Sequence, residues 1–465
     1  MRPMSPVTFP DRAEPLDRYE PAQPEEAIDV GSWRPSGLLE WFAISQTALP
    51  ALLYLPGIQS FRTVIRVSAF AVSLLAFAYW YFGNRPRLPW RHPAQPWLLG
   101  VLCLLTAMIA HPDTYGVLAG VGQTALYFAV FCPIFWVPSF VANRHALIRV
   151  LAILLICNGI NSVVGVLQVQ DPDRWMPAEF SSSFQADSLR FATSVYVGPN
   201  GRLIVRPPGL YDTPGAVCGA GTIASILGLI FCLERIAAWK RAVALALALA
   251  GMSAIYLTHV RASFLVVLVM MATYLVMLTI QKQKLRVTGF LGLSAGLLAA
   301  ALSVATILGG DSIQARFMTL FQSDPRTVYA ENRGSFVQSA FGDLLTEYPM
   351  GAGLARWGVL AGVVGIPPSK QLWAEVQPAA WILDGGLFLL ILYGGALLVT
   401  LLWELKLVRN LTDPDDRLWA AAVVAANVGT LALIFTFVPF STQIGLQFWF
   451  LEGLLHGAMV TRLNQ

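Results

Sequence analysis

The chain has 465 residues, of which 56% are hydrophobic and 12% are charged, and its formal net charge is +4. Soluble globular proteins carry about 25% charged residues, so this composition excludes a soluble domain and predicts a protein that buries most of its surface in lipid. Because the excess of Lys and Arg lies in short loops between apolar segments, it indicates membrane topology, and we expect no nucleic acid partner.

Residues 1–36, at the N-terminus, are polar and rich in proline, and they contain no early apolar run. This composition predicts a disordered cytoplasmic tail and not a cleaved signal peptide. The five cysteines all lie inside apolar segments, at spacings that indicate neither a disulfide framework nor a zinc site. We therefore expect them to be small core residues, and we expect no metal.

Windows of about 19 residues predict roughly twelve membrane-spanning helices. Their expected positions are 38–56, 63–82, 96–111, 116–137, 147–168, 213–233, 241–258, 262–280, 287–308, 378–402, 418–438 and 443–460. They form an N-terminal group over 37–168, a central group over 213–308 and a C-terminal group over 378–465. The predicted fold class is therefore all-α, a polytopic integral membrane protein.

Basic residues mark alternate loops and so predict the orientation of the chain. The basic loops carry Arg85, Arg87 and Arg91; Arg144 and Arg149; Arg235, Lys240 and Arg241; Lys282, Lys284 and Arg286; Lys406, Arg409 and Arg417; and Arg462. The intervening short loops hold little beyond Arg62 and Arg261. Both termini are therefore expected to be cytoplasmic.

Two long loops, 169–212 and 309–377, are predicted on the opposite side of the membrane. The second loop has apolar residues at helical spacing, which predicts amphipathic helices that cap a cavity or pack on the bundle. Its two apolar stripes are Phe317, Leu320 and Phe321, and Phe336, Ala340, Phe341, Leu344 and Leu345. Long loops of this kind are more often functional than not.

Two arginines stand where the chain enters the membrane from that same side. Arg206 precedes Thr213-Pro-Gly-Ala216, which resembles a helix N-terminus, and Arg261 lies in a short link between two apolar segments. A guanidinium stays charged, and it is costly near lipid unless it is paired or faces water. Together with the free N–H groups of a helix start, the two predict a site for a diphosphate. The alternative is that both are border residues whose charged ends reach the interface.

Two carboxylates flank the entry to the tenth predicted span. Asp384 is expected about two turns inside it, where an ionisable group is a functional candidate by default. The alternative for Asp384 is a carboxyl group that only positions helices, and the alternative for Glu375 is a solvated loop residue. The tryptophans nearby, Trp357, Trp373 and Trp381, either stack on sugars or anchor the chain at the interface.

Three further candidates are weaker. Arg62 and Arg66 are one helical turn apart and either join a phosphate site or anchor their helix. Glu452 and His456 share the i, i+4 spacing and favour a buried structural pair. His259, beside Arg261, is expected to be hydrogen-bonded at the interface.

Four stretches in chain order resemble the O-antigen ligase and Wzy-type polysaccharide polymerase superfamily, which are integral membrane glycosyltransferases. They are Arg206 to Gly215, Thr258 to Phe264, Asn332 to Leu354, and Asp384-Gly-Gly-Leu387 with the apolar run that follows. The resemblance covers about 200–400, whereas the first five predicted spans match only in hydropathy. It implies a chain in a bacterial inner membrane, with a large helical periplasmic loop between the ninth and tenth spans.

The resemblance also implies the reaction and its partners. The donor is a glycan on undecaprenyl diphosphate in the lipid bilayer, and it is transferred to a glycan acceptor without a metal, a nucleotide or another cofactor. Arginines that match Arg206 and Arg261 bind the diphosphate, and Arg333 is expected to join them. The acceptor hydroxyl needs a nearby base, and Glu375 and Asp384 are the candidate catalytic residues.

One departure separates the chain from the ligases of this family. Those enzymes place a histidine in the long loop before the tenth span, and the matching position here is Glu375; residues 309–377 contain no histidine. This favours a polymerase of lipid-linked repeat units over a ligase that attaches finished glycan to lipid A-core or to protein. Two further alternatives are a transporter or lipid flippase, and an inactive scaffold among the partners of a polysaccharide assembly complex.

Overall fold

The computed structural model describes residues 37–460 apart from 56, 84–90, 142, 178–193, 323, 325, 326, 328, 364, 366 and 368–370. The predicted cytoplasmic tail over 1–36 therefore lies outside the described residues, as do Arg85, Arg87 and Arg462.

The described chain is almost entirely helical, which confirms the predicted all-α class. In chain order the helices are α1 (Leu38–Ala51), α2 (Arg62–Phe82), α3 (Gln95–Met108), α4 (Val117–Phe131), α5 (Pro133–Trp136), α6 (Arg144–Gln170), α7 (Pro172–Trp175), α8 (Val217–Cys232), α9 (Ala238–Leu257), α10 (Arg261–Ile280), α11 (Lys284–Gly309), α12 (Asp311–Gln322), α13 (Ser335–Ser339), α14 (Leu345–Glu347), α15 (Gly358–Val363), α16 (Gln377–Asn410), α17 (Pro414–Ala432) and α18 (Gln443–Met459). Short 3-10 turns lie at Leu52–Tyr54, Ile58–Phe61, Val137–Phe140, Pro199–Gly201, Leu433–Phe435 and Pro439–Ser441, and π-helical turns lie at Ala330–Gly334 and Ala340–Leu344. The sequence did not predict the one antiparallel hairpin in the described residues, β1 (Val195–Val197) with β2 (Leu203–Val205), in which Tyr196 pairs with Ile204.

Among the described residues, 7 helices are long and apolar enough to cross a membrane, or up to 8 if the bent pair Val117–Phe131 and Pro133–Phe140 is one span. Each predicted span coincides with a helix, but α1, α3, α8 and α18 have only 14, 14, 16 and 17 residues. Crossing the hydrocarbon core takes about 20 residues. The structure therefore supports a membrane protein, and the count of about twelve spans stays a prediction.

Helices α8 and α9 approach each other closely because both have glycine at their contact. A Cβ added to Gly221 would lie 2.6 Å from the carbonyl oxygen of Gly251, and one added to Gly251 would lie 2.9 Å from the carbonyl oxygen of Gly221. Small residues allow this contact between helices whose remaining faces are apolar. The main core is continuous from this pair to α6, α10, α17 and α18.

Two ends of the bundle differ in their charges. At one end, Arg144 forms ion pairs with Asp413 at 3.0 Å and Asp416 at 3.2 Å, and Arg286 lies 3.7 Å from Asp415. Helix α10 begins at Arg261 and runs for 20 residues toward this end, a length of about 30 Å. Gln281, the residue after α10, donates to the Arg417 carbonyl, so Arg261 lies at the opposite end of α10 from these ion pairs.

The helices predicted in the second long loop are present, but one apolar stripe is partly wrong. In α12, Phe317 is buried and Leu320 packs on the main core, while the side chain of Phe321 lies outside the described residues. In the second stripe, Ala340, Leu344 and Leu345 pack against Val376, Ala379 and Ile382, whereas Phe336 and Phe341 are exposed. The two π-helical turns explain the difference, because their i→i+5 bonds rotate the side chains away from the α-helical spacing.

The cysteines differ in burial. Cys132 is buried as predicted, Cys103 is exposed, and the other three are intermediate; all five are free thiols. The prediction of a core position is therefore wrong for Cys103, because that residue lies on the outward face of α3.

Candidate functional site

The backbone of Arg206 is fixed on both sides where the chain leaves the hairpin. Its N–H donates to the Ser194 carbonyl at 2.9 Å, and its own carbonyl accepts from the Gly215 N–H at 3.1 Å. The helix start predicted at Thr213 is wrong, because α8 begins only at Val217. Gly215 has a φ of 78°, a left-handed conformation that ends the turn before the helix can form.

Two amide side chains on α6 hold the loop that follows Arg206. The buried Gln168 donates to the Gly209 carbonyl at 2.8 Å and accepts from the Gly209 N–H at 2.9 Å. Asn161 accepts from the Leu210 N–H at 2.7 Å. The side chains thus satisfy the loop backbone as a neighbouring strand would. Sequence reasoning missed this clamp, although two amides inside an apolar segment were the available signal.

Arg62 and Arg66 do not take part in an anion site. The buried Asp212 lies 2.5 Å from Arg62 and 2.8 Å from Arg66, and Arg66 also donates from Nε to the second carboxylate oxygen at 3.2 Å. Their charges are therefore shared with a carboxylate of the Arg206 loop. Of the two predicted alternatives, the structure supports anchoring.

Arg261 is the first residue of α10, and its Nη1 donates to Thr319 Oγ1 on α12 at 3.0 Å. No side chain caps this helix start. The first N–H groups of a helix carry partial positive charge and favour an anion nearby. Arg261 therefore adds its own charge to that of the helix end.

A third arginine, Arg316, comes from α12 and was missed by sequence reasoning. The neighbouring Phe317 fixes α12 by ring contacts with Tyr256 at 4.8 Å and Phe264 at 5.3 Å between centroids. Desolvation, and then the charges of Arg261 and Arg206, lower the pKa of Arg316. The Thr319 hydroxyl that accepts from Arg261 donates to the Arg316 carbonyl. A Cβ placed on Gly215 would lie 3.9 Å from Arg206 Cβ and 3.6 Å from the side chain of Val260, the residue before Arg261. The three arginines therefore lie in one region of the structure.

His259 and Tyr196 complete the site. Their rings stack with centroids 4.0 Å apart, and His259 has a left-handed φ of 58°. Burial, followed by the charges of Arg206 and Arg316, lowers the pKa of His259 to about 4, so its imidazole is neutral at neutral pH. His259 was predicted to be hydrogen-bonded, yet its Nε2, the Tyr196 hydroxyl and the Arg206 Nε are all buried without a hydrogen-bond partner among the described residues.

We call Arg206, Arg261, Arg316, His259 and Tyr196 the arginine cluster. Across the described part of the chain, no carboxylate forms an ion pair with any of its guanidinium groups. Buried polar groups are nearly always paired, so three orphaned atoms beside three uncompensated cations indicate a missing partner. An anion with several acceptor oxygens and more than one negative charge fits this arrangement.

Arg333 and Glu375 lie elsewhere and contact each other. Arg333 Nη1 donates to Glu375, whose other oxygen accepts from Trp373 Nε1 at 2.7 Å. The structure therefore brings Arg333 to Glu375, and not to Arg206 and Arg261 as the sequence suggested. Between the described residues, no contact joins this pair to the arginine cluster.

Asp384 is fully buried at the eighth position of α16, which confirms its predicted depth of about two turns. One carboxylate oxygen accepts from Gln123 Nε2 at 3.1 Å and from the Tyr127 hydroxyl at 2.8 Å, both on α4. Those contacts tie α16 to α4. They give Asp384 a helix-positioning role, while its second oxygen, Oδ1, is buried without a hydrogen-bond partner among the described residues.

Helix α16 breaks directly after Asp384, and the Tyr348–Gly353 loop fills the break. Gly386 has φ 62° and ψ −152°. The Leu387 N–H donates to the Pro349 carbonyl at 2.9 Å, and the Ala352 N–H donates to the Leu383 carbonyl at 2.7 Å. The Tyr348–Gly353 loop and the segment around Asp384, both noted in the sequence, thus form hydrogen bonds with each other's backbone.

The remaining predicted candidates are structural or exposed. The predicted partner of Glu452 is wrong: Glu452 Oε1 contacts His92 Nε2 at 2.8 Å, because the chain before α3 inserts His92 into the bundle. Trp357 and Trp381 are buried in the core, whereas Trp373 is exposed. Of the three tryptophans, only Trp373 has a surface available to a sugar.

Fold and site together define a class: a helical protein with apolar helices of membrane length and a cationic site at one end. No protein-family profile and no curated protein sequence matches this chain.

Proposed function

We propose that this chain is an integral membrane glycosyltransferase, which polymerises undecaprenyl-diphosphate-linked oligosaccharide units into a surface polysaccharide at the periplasmic face of a bacterial inner membrane. The arginine cluster carries the proposal. Three guanidinium groups without carboxylate partners, beside a neutral imidazole and a phenol, match the charge and the acceptor oxygens of a diphosphate.

In the proposed reaction, the acceptor hydroxyl oxygen forms a bond with the anomeric carbon of the donor glycan. The bond from that carbon to the diphosphate oxygen breaks, and the electron pair leaves with undecaprenyl diphosphate. Fixed cations stabilise the negative charge that develops on the leaving oxygen. The proton of the acceptor hydroxyl passes to a base.

Glu375 is the proposed base, and its carboxylate accepts from Arg333 Nη1. It lies in the second long loop beside the exposed Trp373. Because the structure does not bring Glu375 to the arginine cluster, the role requires the loop to approach the cluster when donor and acceptor are bound. Glu375→Gln should abolish chain extension and leave membrane insertion intact. Glu347→Gln, a change at an exposed glutamate of the same loop, should leave both chain extension and membrane insertion intact. Unchanged polymer yield from Glu375→Gln would reject this role.

The proposed topology has about twelve spans with both termini cytoplasmic, as the positive-inside rule indicates. The arginine cluster then opens toward the periplasm, where a lipid-linked donor in the outer leaflet can reach it. The separation of the Arg144–Asp413 end from Arg261 by the length of α10 supports this orientation.

A second candidate, a transporter of lipid diphosphates, is favoured by the interrupted helices. Helix α16 breaks at Gly386, and α4 and the segment after it bend by 44°. Transporters bind substrate at such breaks near the bilayer midplane. Here protein groups fill the α16 break and partner Asp384, while the uncompensated cations lie at the start of α10, so the enzyme is the better-supported proposal.

Purified protein in lipid vesicles, supplied with a synthetic undecaprenyl-diphosphate oligosaccharide, separates the functions. Longer lipid-linked chains identify a polymerase, glycan on added lipid A-core or on protein identifies a ligase, and movement across the vesicle without product identifies a transporter. Arg206→Ala and Arg261→Ala should each lose most of the activity, with partial rescue by Lys because the bidentate fork is lost. Arg202→Ala, an exposed arginine of the same hairpin, is the control. Wild-type turnover in Arg206→Ala or Arg261→Ala would contradict the proposed role of that arginine.

A further inference from the structure

A fully buried group of ionisable residues lies inside the bundle, separate from the arginine cluster. Its members are Glu404 on α16, Asn427 on α17, Glu452 on α18, and His92 from the chain before α3. We call these four residues the carboxyl pair site. His456 on α18 and Trp403 on α16 face it, with ring centroids 5.1 Å and 6.1 Å from that of His92.

His92 is held in its neutral form by the hydrogen bond at Nδ1. The Ala94 N–H donates to Nδ1 at 3.2 Å, so Nδ1 acts as an acceptor and carries no proton. Nε2 therefore bears the single proton and donates to Glu452 Oε1 at 2.8 Å. Burial also lowers the pKa of His92 to about 3. His92 thus supplies a donor without supplying a positive charge.

The carboxyl pair site has more acceptors than donors. Asn427 Nδ2 donates to Glu404 Oε1 and approaches Glu452 Oε2 at 3.4 Å, so a single amide nitrogen lies against both carboxyl groups. Within the described residues, His92 and Asn427 are the N–H donors to the carboxylate oxygens of Glu404 and Glu452, and a proton on one carboxyl group would supply a further donor between the two.

The charges of the site also require a proton on one of the two carboxyl groups. No Lys or Arg forms an ion pair with either carboxylate in the described chain. Two ionised carboxylates in contact repel each other, and burial without a cation disfavours both charges. Such a pair holds at least one proton, as dicarboxylate sites generally do.

We propose that the carboxyl pair site is a proton-binding site, in which Glu404 is the carboxylic acid and donates its proton to the Glu452 carboxylate. Glu452 takes the negative charge because it accepts from both His92 and Asn427, whereas Glu404 accepts only from Asn427. The bound proton joins α16 to α18. This inference does not depend on the proposed glycosyltransferase function.

The site makes the stability of the fold fall as pH rises. An unfolded glutamate loses its proton above a pKa of about 4.3, while the folded site keeps it, so the folded state binds more protons. The ratio of folded to unfolded protein then falls about tenfold per pH unit until the folded site itself is deprotonated. Glu404→Gln removes this contribution, because glutamine is a neutral analogue of the protonated acid.

Infrared spectra of the purified full-length protein test the inference. At neutral pH the wild type should show a protonated carboxyl band that is missing from Glu404→Gln and retained in Glu347→Gln, an exposed glutamate outside the bundle. The same band in Glu404→Gln would overturn the inference. If Glu404→Gln fails to fold, the wild type alone decides: its melting temperature should fall between about pH 7 and 8, above the range in which His259 changes its charge, and a constant value there would overturn the inference.

Discussion

Replacement of each arginine in the cluster by alanine should weaken diphosphate binding in an order set by burial. Arg206 is half-buried, with its Nε fully enclosed and unpartnered among the described residues. Arg316 lies on the exposed side of α12, and Arg261 is intermediate, with one hydrogen bond to Thr319. The less water reaches a guanidinium, the stronger its bond to a phosphate oxygen.

A hydrogen bond to a charged group contributes about 1.5–3 kcal/mol. Arg206→Ala should lie near the upper end, so its Kd rises about 10²-fold, and Arg316→Ala near the lower end, about tenfold. Arg261→Ala should fall between them. Each substitution removes one of three neighbouring positive charges, which repel one another in the ligand-free protein. None of these variants should therefore lower the melting temperature of the ligand-free protein.

The assay is titration of the purified variants with a short polyprenyl diphosphate, together with thermal unfolding of the ligand-free proteins. Arg202→Ala, an exposed arginine of the same hairpin, should leave both measurements unchanged. Equal losses of binding in Arg202→Ala and Arg206→Ala would refute the reasoning. A fall in melting temperature that parallels the loss of binding would also refute it, because the arginines would then be structural.

Four further predictions follow from single contacts. Gln168→Leu leaves the N–H and the carbonyl of Gly209 unpaired, which should cost about 1–3 kcal/mol of stability for each group. The midpoint of denaturant unfolding should therefore fall, and so should the affinity for diphosphate. Gly386→Ala places a Cβ 2.1 Å from the Pro349 carbonyl oxygen at φ 62°, and the backbone strain alone should cost about 1–3 kcal/mol in thermal unfolding. Asp384→Asn keeps an acceptor for its two donors and should retain activity, whereas Asp384→Ala should lose about 1–3 kcal/mol of stability for each unpaired donor. Because the folded pKa of His259, about 4, is depressed below its unfolded value, stability should fall as pH drops from about 6.5 to 4, and His259→Asn should remove that component.

Each of these predictions has a contrary outcome. Wild-type affinity in Gln168→Leu would show that the clamp does not position Arg206, and an unchanged melting temperature in Gly386→Ala would show that the break can relax. Loss of activity in a folded Asp384→Asn protein would restore the catalytic role first suggested for that residue. An identical acid profile in wild type and His259→Asn would remove His259 as its cause.

Much of the fold could be predicted from the sequence because the apolar composition of a short segment is enough to predict a lipid-facing helix. Every predicted apolar segment coincides with a helix. The four stretches that resemble the glycosyltransferase superfamily come together in the structure as two pairs. Arg206 approaches the Arg261 junction, and the Tyr348–Gly353 loop enters the break after Asp384. Local patterns thus identified which segments matter.

Other features depend on contacts between residues far apart in the chain. Arg316 lay on the polar face of an ordinary amphipathic helix, and only the packing of Phe317 against Tyr256 and Phe264 directs it to the site. In the same way, the i, i+4 spacing predicted a contact between Glu452 and His456, but in the bundle Glu452 contacts His92. Spacing along one helix carries no information about a residue inserted from another element.

The sequence by itself determined the membrane character, the helical class and two arginines as candidates for an anion site, because hydropathy and the cost of an unpaired guanidinium are properties of short segments. Tertiary structure alone decided which cations keep a partner and which do not. Asp212 neutralises Arg62 and Arg66, and no carboxylate in the described chain reaches Arg206, Arg261 or Arg316. That division arises because ion pairing depends on distance in space, which sequence separation does not fix.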